Sequence, residues 1–256
     1  INEIMNIDAN EYNKSNESQI RDGNELIGKI VAETSDKDYE QIIDIGCGTG
    51  NVTRELSRAV NGRPITALDV DPGMIGFAQT STNRNPNIRY VTQDFGVEWD
   101  SLSATVRAME DSVTLVFTNH CLHLIPDKSN VVTNIGRLLR PNGRLYANIG
   151  YNADLYMNLT GNTVETDTEM NVWLNLFRSR GLNVLSKEFC LRDNRYELDA
   201  FTKSIDGLKQ SLLNNYSDSK RDKLDELFSN VLAKCDKYVD NRTGKTMGVF
   251  YWTTTF

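Results

Sequence analysis

The sequence predicts an α/β protein: a doubly wound, seven-stranded, mostly parallel sheet of Rossmann-like type, with a helical cap inserted near the C-terminus. Three observations carry this. Short β-type runs alternate with helical patterns from residue 41 to about 150; the first run ends in a glycine cluster, "GCGTG"; and beyond residue 150 the alternation gives way to amphipathic helices and one last β-type run. Regular alternation of strand and helix buries a sheet on both faces, as crossover helices of a parallel sheet do.

In chain order, the core strands are "QIID", "PITALDV", "NIRYVTQD", "SVTLVFTN" and "GRLYANIG", separated by turn residues such as Asn61-Gly62, Asp71-Pro72-Gly73 and Pro141-Asn142-Gly143. Val52, Leu56, Ala59 and Val60 recur at helical spacing after the first strand, and Val131, Val132, Ile135, Leu138 and Leu139 before the fifth. Further on, Trp173, Leu176 and Phe177 mark a helix ending at Gly181, followed by a strand, "NVLSKEFCL". Helices are predicted over 198–216 and 219–238, and the final run, "TMGVFYWTTTF", returns antiparallel through "NRTGK". The expected organisation is one domain in three parts: an N-terminal helical segment (1–40) closing over the site, a cofactor-binding core (41–150), and the remaining strands with a substrate cap (151–256).

Composition narrows the function. The 256 residues are 39% hydrophobic and 25% charged, enough to bury a sizeable core, and the net charge of −7 lacks the footprint of a phosphate-tracking protein. Nucleic acid is not expected as a partner. No apolar run approaches the roughly 18 residues of a spanning helix, so no membrane partner is expected and a cytoplasmic location is. The four cysteines lack a C-x-x-C pair, and His120 and His123 are the only histidines, so reduced thiols are expected and a metal site is not.

Gly46, Gly48 and Gly50 lie where the first core strand turns into a helix, at the mouth where doubly wound sheets bind ligands. The spacing G-x-G-x-G, preceded by Asp44, differs from the dinucleotide fingerprint and suits an ammonium or sulfonium better than a pyrophosphate. Asp69 ends the second strand, where a carboxylate accepts both hydroxyls of a ribose. Asp94 ends the third, placed to accept from an adenine amino group while Phe95 flanks the ring. Together they describe an adenosine with a positively charged tail.

With "DIGCGTG" and "LLRPNGRLY" in these positions, residues 41–150 resemble the class I S-adenosylmethionine-dependent methyltransferases. The resemblance implies the Rossmann-like methyltransferase fold and S-adenosyl-L-methionine as cofactor. Gly46, Gly48 and Gly50 would cradle its methionine moiety, Asp69 its ribose, and Met74, Asp94 and Phe95 its adenine; Val70 and Asn119 are also assigned to the cofactor site.

The segment "TNHCLHLIPD" lacks the [DNS]-P-P-[YF] motif common in enzymes that methylate base or amide nitrogen. The stretches "YNKSNESQIRD", "DIGCGTGNVT" and "CLHLI" look similar to insect juvenile hormone acid methyltransferases, which methylate a farnesoic-type carboxylate. In that family a glutamine and a tryptophan anchor the carboxylate. Gln19 matches the first; Leu124 stands in place of the second. The resemblance therefore implies carboxyl O-methylation of a small lipophilic acid, with Gln19 and Leu124 on the substrate side; Trp173, at helical spacing with Phe177, is a core residue also assigned to the substrate side. An ionised carboxylate needs no general base. A phenol or thiol would, with His120 or His123 as the nearby imidazoles. Two alternatives stay open: an O-methyltransferase for another small molecule, and a cofactor-binding protein with little activity on such acids.

Overall fold

The computed structural model describes residues 8–33, 39–80, 85–151, 166–199, 202, 236–241, 243–244 and 246–255. Two N-terminal helices, α1 (Ala9–Ser15) and α2 (Glu17–Glu33), precede the core. The core runs β1 (Ile42–Ile45), α3 (Asn51–Ala59), β2 (Ile65–Asp69), α4 (Pro72–Ala78), β3 (Ile88–Thr92), α5 (Ala104–Arg107), β4 (Val113–Asn119), α6 (Lys128–Leu138) and β5 (Leu139–Tyr151). Then come α7 (Thr166–Ser179), β6 (Phe189–Glu197), β7 (Asp236–Val239) and β8 (Thr246–Thr255).

The strands form one sheet in the order β3-β2-β1-β4-β5-β8-β6, with β7 paired to β8. β1 to β5 pair in parallel, and β8 is antiparallel to β5, β6 and β7. The order reverses at β1, whose neighbours are β2 and β4, so the carboxyl ends of these strands diverge into a crevice.

Every residue of β1 is buried, and successive side chains feed opposite layers. Ile42, Ala67, Leu115 and Phe117 enter a layer closed by Leu26 and Ile30 of α2, Leu56 of α3 and Ile75 of α4. Ile43, Ile45, Leu68 and Val116 enter the other, closed by Val106 of α5, Val131 and Ile135 of α6, and Trp173 and Phe177 of α7. The sheet is thus wound on both faces, and period-2 burial on the strands meets period-3.6 burial on the helices. Helix starts are set by local chemistry: Asp8, Asp71 and Asp127 cap α1, α4 and α6 by accepting backbone N–H groups, and Pro72 occupies the first turn of α4.

Three expectations need correction. Among the described residues the sheet has eight strands, not seven, because β7 pairs antiparallel with β8, which follows it in the chain. Tyr238, expected at the end of a helix, is therefore paired with Met247 in the sheet. The strand expected over 183–191 lies later, at Phe189–Glu197, because its partner β8 is long and the ladder runs from Phe189↔Thr255 to Glu197↔Met247. Apart from 198–199, 202 and 236–238, the residues of the two predicted cap helices lie outside the described residues. Among those described, no helix is long and apolar enough to cross a membrane, and no cluster of side chains suits a metal ion.

Ile135, 0% exposed at the centre of the α6 face, reports on this packing. Ile135→Ala is expected to lower the unfolding free energy by about 2–5 kcal/mol with an unchanged denaturant slope, measured by urea titration.

Candidate active site

The turn after β1 is held from below by β2. The N–H groups of Gly46 and Cys47 both donate to Leu68 O, at 2.8 and 2.9 Å, and Gly48 N–H donates to Asp69 Oδ2 at 2.8 Å. To follow this path the backbone takes φ values of 79°, 53° and 75° at Gly46, Gly48 and Gly50, a region costly to any residue with a Cβ. Space forbids one at Gly46 as well: a Cβ there would lie 2.3 Å from Cβ and Sγ of Cys121, which follows β4. On the other side, Tyr12 of α1 lies 3.5 Å from where a Cβ of Gly48 would sit, and Asn51 Nδ2 donates to Asn13 Oδ1 at 2.8 Å.

Between this loop and the N-terminal helices opens a pocket. Tyr12, Asn16 and Gln19 line one side, and Asp44, Gly46, Thr49 and Asn119 the other. Asp44 is 2% exposed and accepts from Thr53 Oγ1 at 2.6 Å. Burial pushes its carboxyl up to about 7, opposed by the Thr53 hydroxyl and reinforced by the charge of Asp69. Asp69 is raised by burial too, against the pull of the Asp71 and Gly48 N–H groups bonded to it. Thr49 Oγ1 is buried without a hydrogen-bond partner among the described residues.

The predicted residues sort clearly. Asp44, the three glycines, Gln19 and Asn119 converge on the pocket or its loop, and Asn119 Nδ2 donates to Gln19 O at 2.9 Å. Gln19 Oε1 accepts from Ser18 Oγ at 2.8 Å. Val70 and Met74 follow Asp69 into the start of α4, Val70 half-buried and Met74 buried. Asp94, half-buried at the end of β3, takes Gly96 N–H on Oδ1 at 2.8 Å. Phe95 departs from expectation: the residue is 3% exposed, inside the core with Trp99 and Val131. Trp173 departs likewise, 2% exposed and stacked on Phe177 with centroids 5.8 Å apart, where α7 packs on α6. Leu124 is 50% exposed on a turn and does not line the pocket.

The two imidazoles also separate. His123 Nδ1 accepts Gly150 N–H at 3.1 Å, and burial, with the charges of His120 and Lys128, pushes its pKa down to about 3. It is neutral at physiological pH. His120 Nε2 lies 2.9 Å from Oδ2 of Asp22, a carboxylate the sequence reading missed. Burial alone would raise Asp22, but hydrogen bonds from His120 and Arg21 outweigh it and hold the carboxyl below its ordinary value. The signal was present: Asp22 shares a helix face with Leu26 and Ile30, at i+4 and i+8, where an acidic residue without a partner would not be tolerated.

Comparison with known proteins adds the family. Residues 42–143 match the model described as a methyltransferase domain. Over this stretch, less than half of the chain, the sequence is similar to class I methyltransferase domains. S-Adenosylmethionine is the methyl donor in this family. The chain is 26% identical over 143 residues to the trans-aconitate 2-methyltransferase of Deinococcus radiodurans, covering 55% of this chain and 50% of that protein. It is 33% identical over 107 residues to the malonyl-[acyl-carrier protein] O-methyltransferase of a Paenibacillus species, covering 41% and 37%. The chain thus spans half or less of the length of these curated relatives. The YcgJ protein of Bacillus subtilis superposes with a TM-score of 0.54 over 91% of this chain and 97% of that one, at 15% identity, which shows the shared fold.

The glycine loop makes a direct test. Gly46→Ala is expected to cost about 1–2 kcal/mol for the left-handed backbone and about 1–3 kcal/mol more for overpacking against Cys121. In a Cys121→Gly background the second part should vanish, seen as positive coupling in a double-mutant cycle of urea midpoints.

Proposed function

We propose that this chain transfers the methyl group of S-adenosylmethionine to the carboxylate of a small, lipophilic acid. The observation that carries the reading is the row of carboxylates on three adjacent parallel strands, Asp44 one residue before the end of β1, Asp69 at the end of β2 and Asp94 two residues beyond β3, with a loop after β1 whose backbone only glycine adopts cheaply. The residues fit the cofactor. Asp44 is a buried acid poised to pair with a cation, and Thr49 Oγ1 is a buried hydroxyl lacking a partner.

Gly46, Gly48 and Gly50 with Asn119 would hold the methionine end, Asp69 and Val70 the ribose, and Met74 and Asp94 the adenine, Phe95 adding its backbone. The donor, when bound, supplies an electrophilic methyl group on a sulfonium. The chain's part is then placement: Gln19 directs its amide at the acceptor oxygen, and the N-terminal helices keep water from the reacting pair. In this scheme residues 1–40 close over the pocket, 41–150 hold the cofactor, and 151–256 cover the substrate. Two relatives support an acidic acceptor, one named for trans-aconitate and the other for O-methylation of a malonyl group. The lipophilic character rests on the similarity to juvenile hormone acid methyltransferases around Gln19 and "CLHLI".

Calorimetry with S-adenosylmethionine and S-adenosylhomocysteine tests the cofactor site. A cation favours ionised Asp44, so S-adenosylmethionine affinity should rise as pH increases through about 7, with proton release at lower pH. Asp44→Asn should flatten that dependence, and an absence of binding at every pH would sink the reading. For the acceptor, transfer of a labelled methyl group to a panel of isoprenoid, medium-chain and aromatic acids is the assay. Gln19→Ala should reduce kcat/KM by about 1.5–3 kcal/mol, one hydrogen bond to a charged group; full activity in that variant places the carboxylate elsewhere.

A further inference from the structure

The helix after the glycine loop begins without a side-chain cap. α3 follows Gly50, which has no side chain to accept the N–H groups of the first turn. The N–H groups of Asn51 and Val52 find no acceptor among the described residues, and both residues line the pocket. A helix start with open donors attracts an anion. Arg54 adds a full charge: its guanidinium folds back over the same turn, donating Nη1 to Thr49 O at 3.2 Å and Nη2 to Asn51 Oδ1. A cation at the positive end of a helix opposes the dipole unless negative charge joins it.

Two buried side chains border this space without partners. Thr49 is 1% exposed, and its Oγ1 makes no hydrogen bond among the described residues. Asn16, at the joint between α1 and α2, is 4% exposed and lines the facing wall of the pocket. Its backbone carbonyl accepts Ile20 N–H at 3.0 Å, but its side-chain amide meets no hydrogen-bonding group among the described residues. Buried amides are ordinarily paired, so an open one on a pocket wall marks a place for a ligand's polar group.

Charge selects the ligand. Asp44 lines the same pocket, and Asp69 holds the loop through Gly48 N–H, so a bare anion meets two carboxylates as well as Arg54. A ligand group with an ammonium beside its carboxylate suits both halves of the pocket. We propose that the start of α3, Thr49 and Asn16 form a carboxylate seat that reads an α-amino-acid end, with Asp44 taking its ammonium. This rests on the methyltransferase reading, whose donor carries such an end. It makes Asn16 a specificity residue supplied by the N-terminal helices, outside the stretch 42–143 that matches methyltransferase domains. Asn16 Nδ2 donates to one carboxylate oxygen, and Thr49 Oγ1 with the N–H groups of α3 to the other. The acid acceptor carries the same carboxylate without the ammonium, and is the competing occupant.

Two ligands that share adenosine and sulfur separate these cases. S-Adenosylhomocysteine carries the amino-acid end, 5′-methylthioadenosine lacks it, and calorimetry gives the affinity of each. Asn16→Ala, at a backbone position open to any residue (φ −98°, ψ 27°), is expected to weaken S-adenosylhomocysteine about ten- to a hundredfold, one hydrogen bond to a charged group. Asn16→Asp keeps the shape, sets a like charge against the carboxylate and should weaken it further. Neither variant should change the affinity for 5′-methylthioadenosine. An equal loss for both ligands makes Asn16 structural and overturns the proposal, as does S-adenosylhomocysteine affinity that survives in Asn16→Asp. Should Asn16→Ala instead raise KM for an acid acceptor and spare S-adenosylhomocysteine, the seat belongs to the acceptor and the proposal falls. Wild type that binds both ligands equally well removes the seat and leaves the cofactor reading standing; wild type that binds neither removes both.

Discussion

The site depends on one carbonyl. Leu68 O, at the penultimate position of β2, receives two consecutive N–H groups from the turn after β1, and the next residue, Asp69, receives a third on its side chain. A chain leaving a strand and bending at once across its neighbour's end exposes its own donors, and buried donors must be paired. Here the neighbour pairs them. The bend then requires left-handed glycine, brings Cys121 into contact with the inner side of the turn, and aims α3 back along the sheet. Asp69 consequently has two duties, staple and candidate ligand. Its two bonds to backbone amides are compatible with further contacts, because an ionised carboxylate has about four lone-pair sites.

The N-terminal helices belong to the same arrangement. α2 is joined to the carboxyl edge of the sheet by amide and imidazole groups: Asn119 reaches Gln19 O, Asn148 Nδ2 reaches Asp22 O at 2.9 Å, and His120 reaches the Asp22 side chain. These bonds join residues about a hundred positions apart in sequence. Beneath them, Leu26, Ile27 and Ile30 supply the apolar area that holds the helix down. Polar bonds set the helix's register against the strand ends, and burial supplies most of the attraction.

Period and punctuation made most of this legible. The five parallel strands, their order-reversing position at β1 and the acids at three strand ends followed from alternation and from glycine spacing. Strand ends read poorly where the partner set the length: β6 begins where β8 allows, and "NVLSKEFCL" carries no local mark of that boundary. Side-chain direction was the other loss. Phe95 and Trp173 occupy positions from which either the crevice or the core is reachable, and the large apolar area of each ring decided for the core. Asp22 was hidden for the opposite reason: a carboxylate within "SQIRDGNE" reads as a solvated face until the strand that brings His120 to it is in place.

Asp44 has a consequence for the stability of the protein. A buried acid raised from 3.8 to about 7 binds its proton more tightly in the folded state than in the unfolded chain, so it erodes stability as pH climbs through that interval. At neutral pH the fold therefore carries a carboxylate held against its ionisation beside a second one. A cation bound beside Asp44 would ease that conflict in the folded form alone, and the folded population would then grow with the cation's concentration.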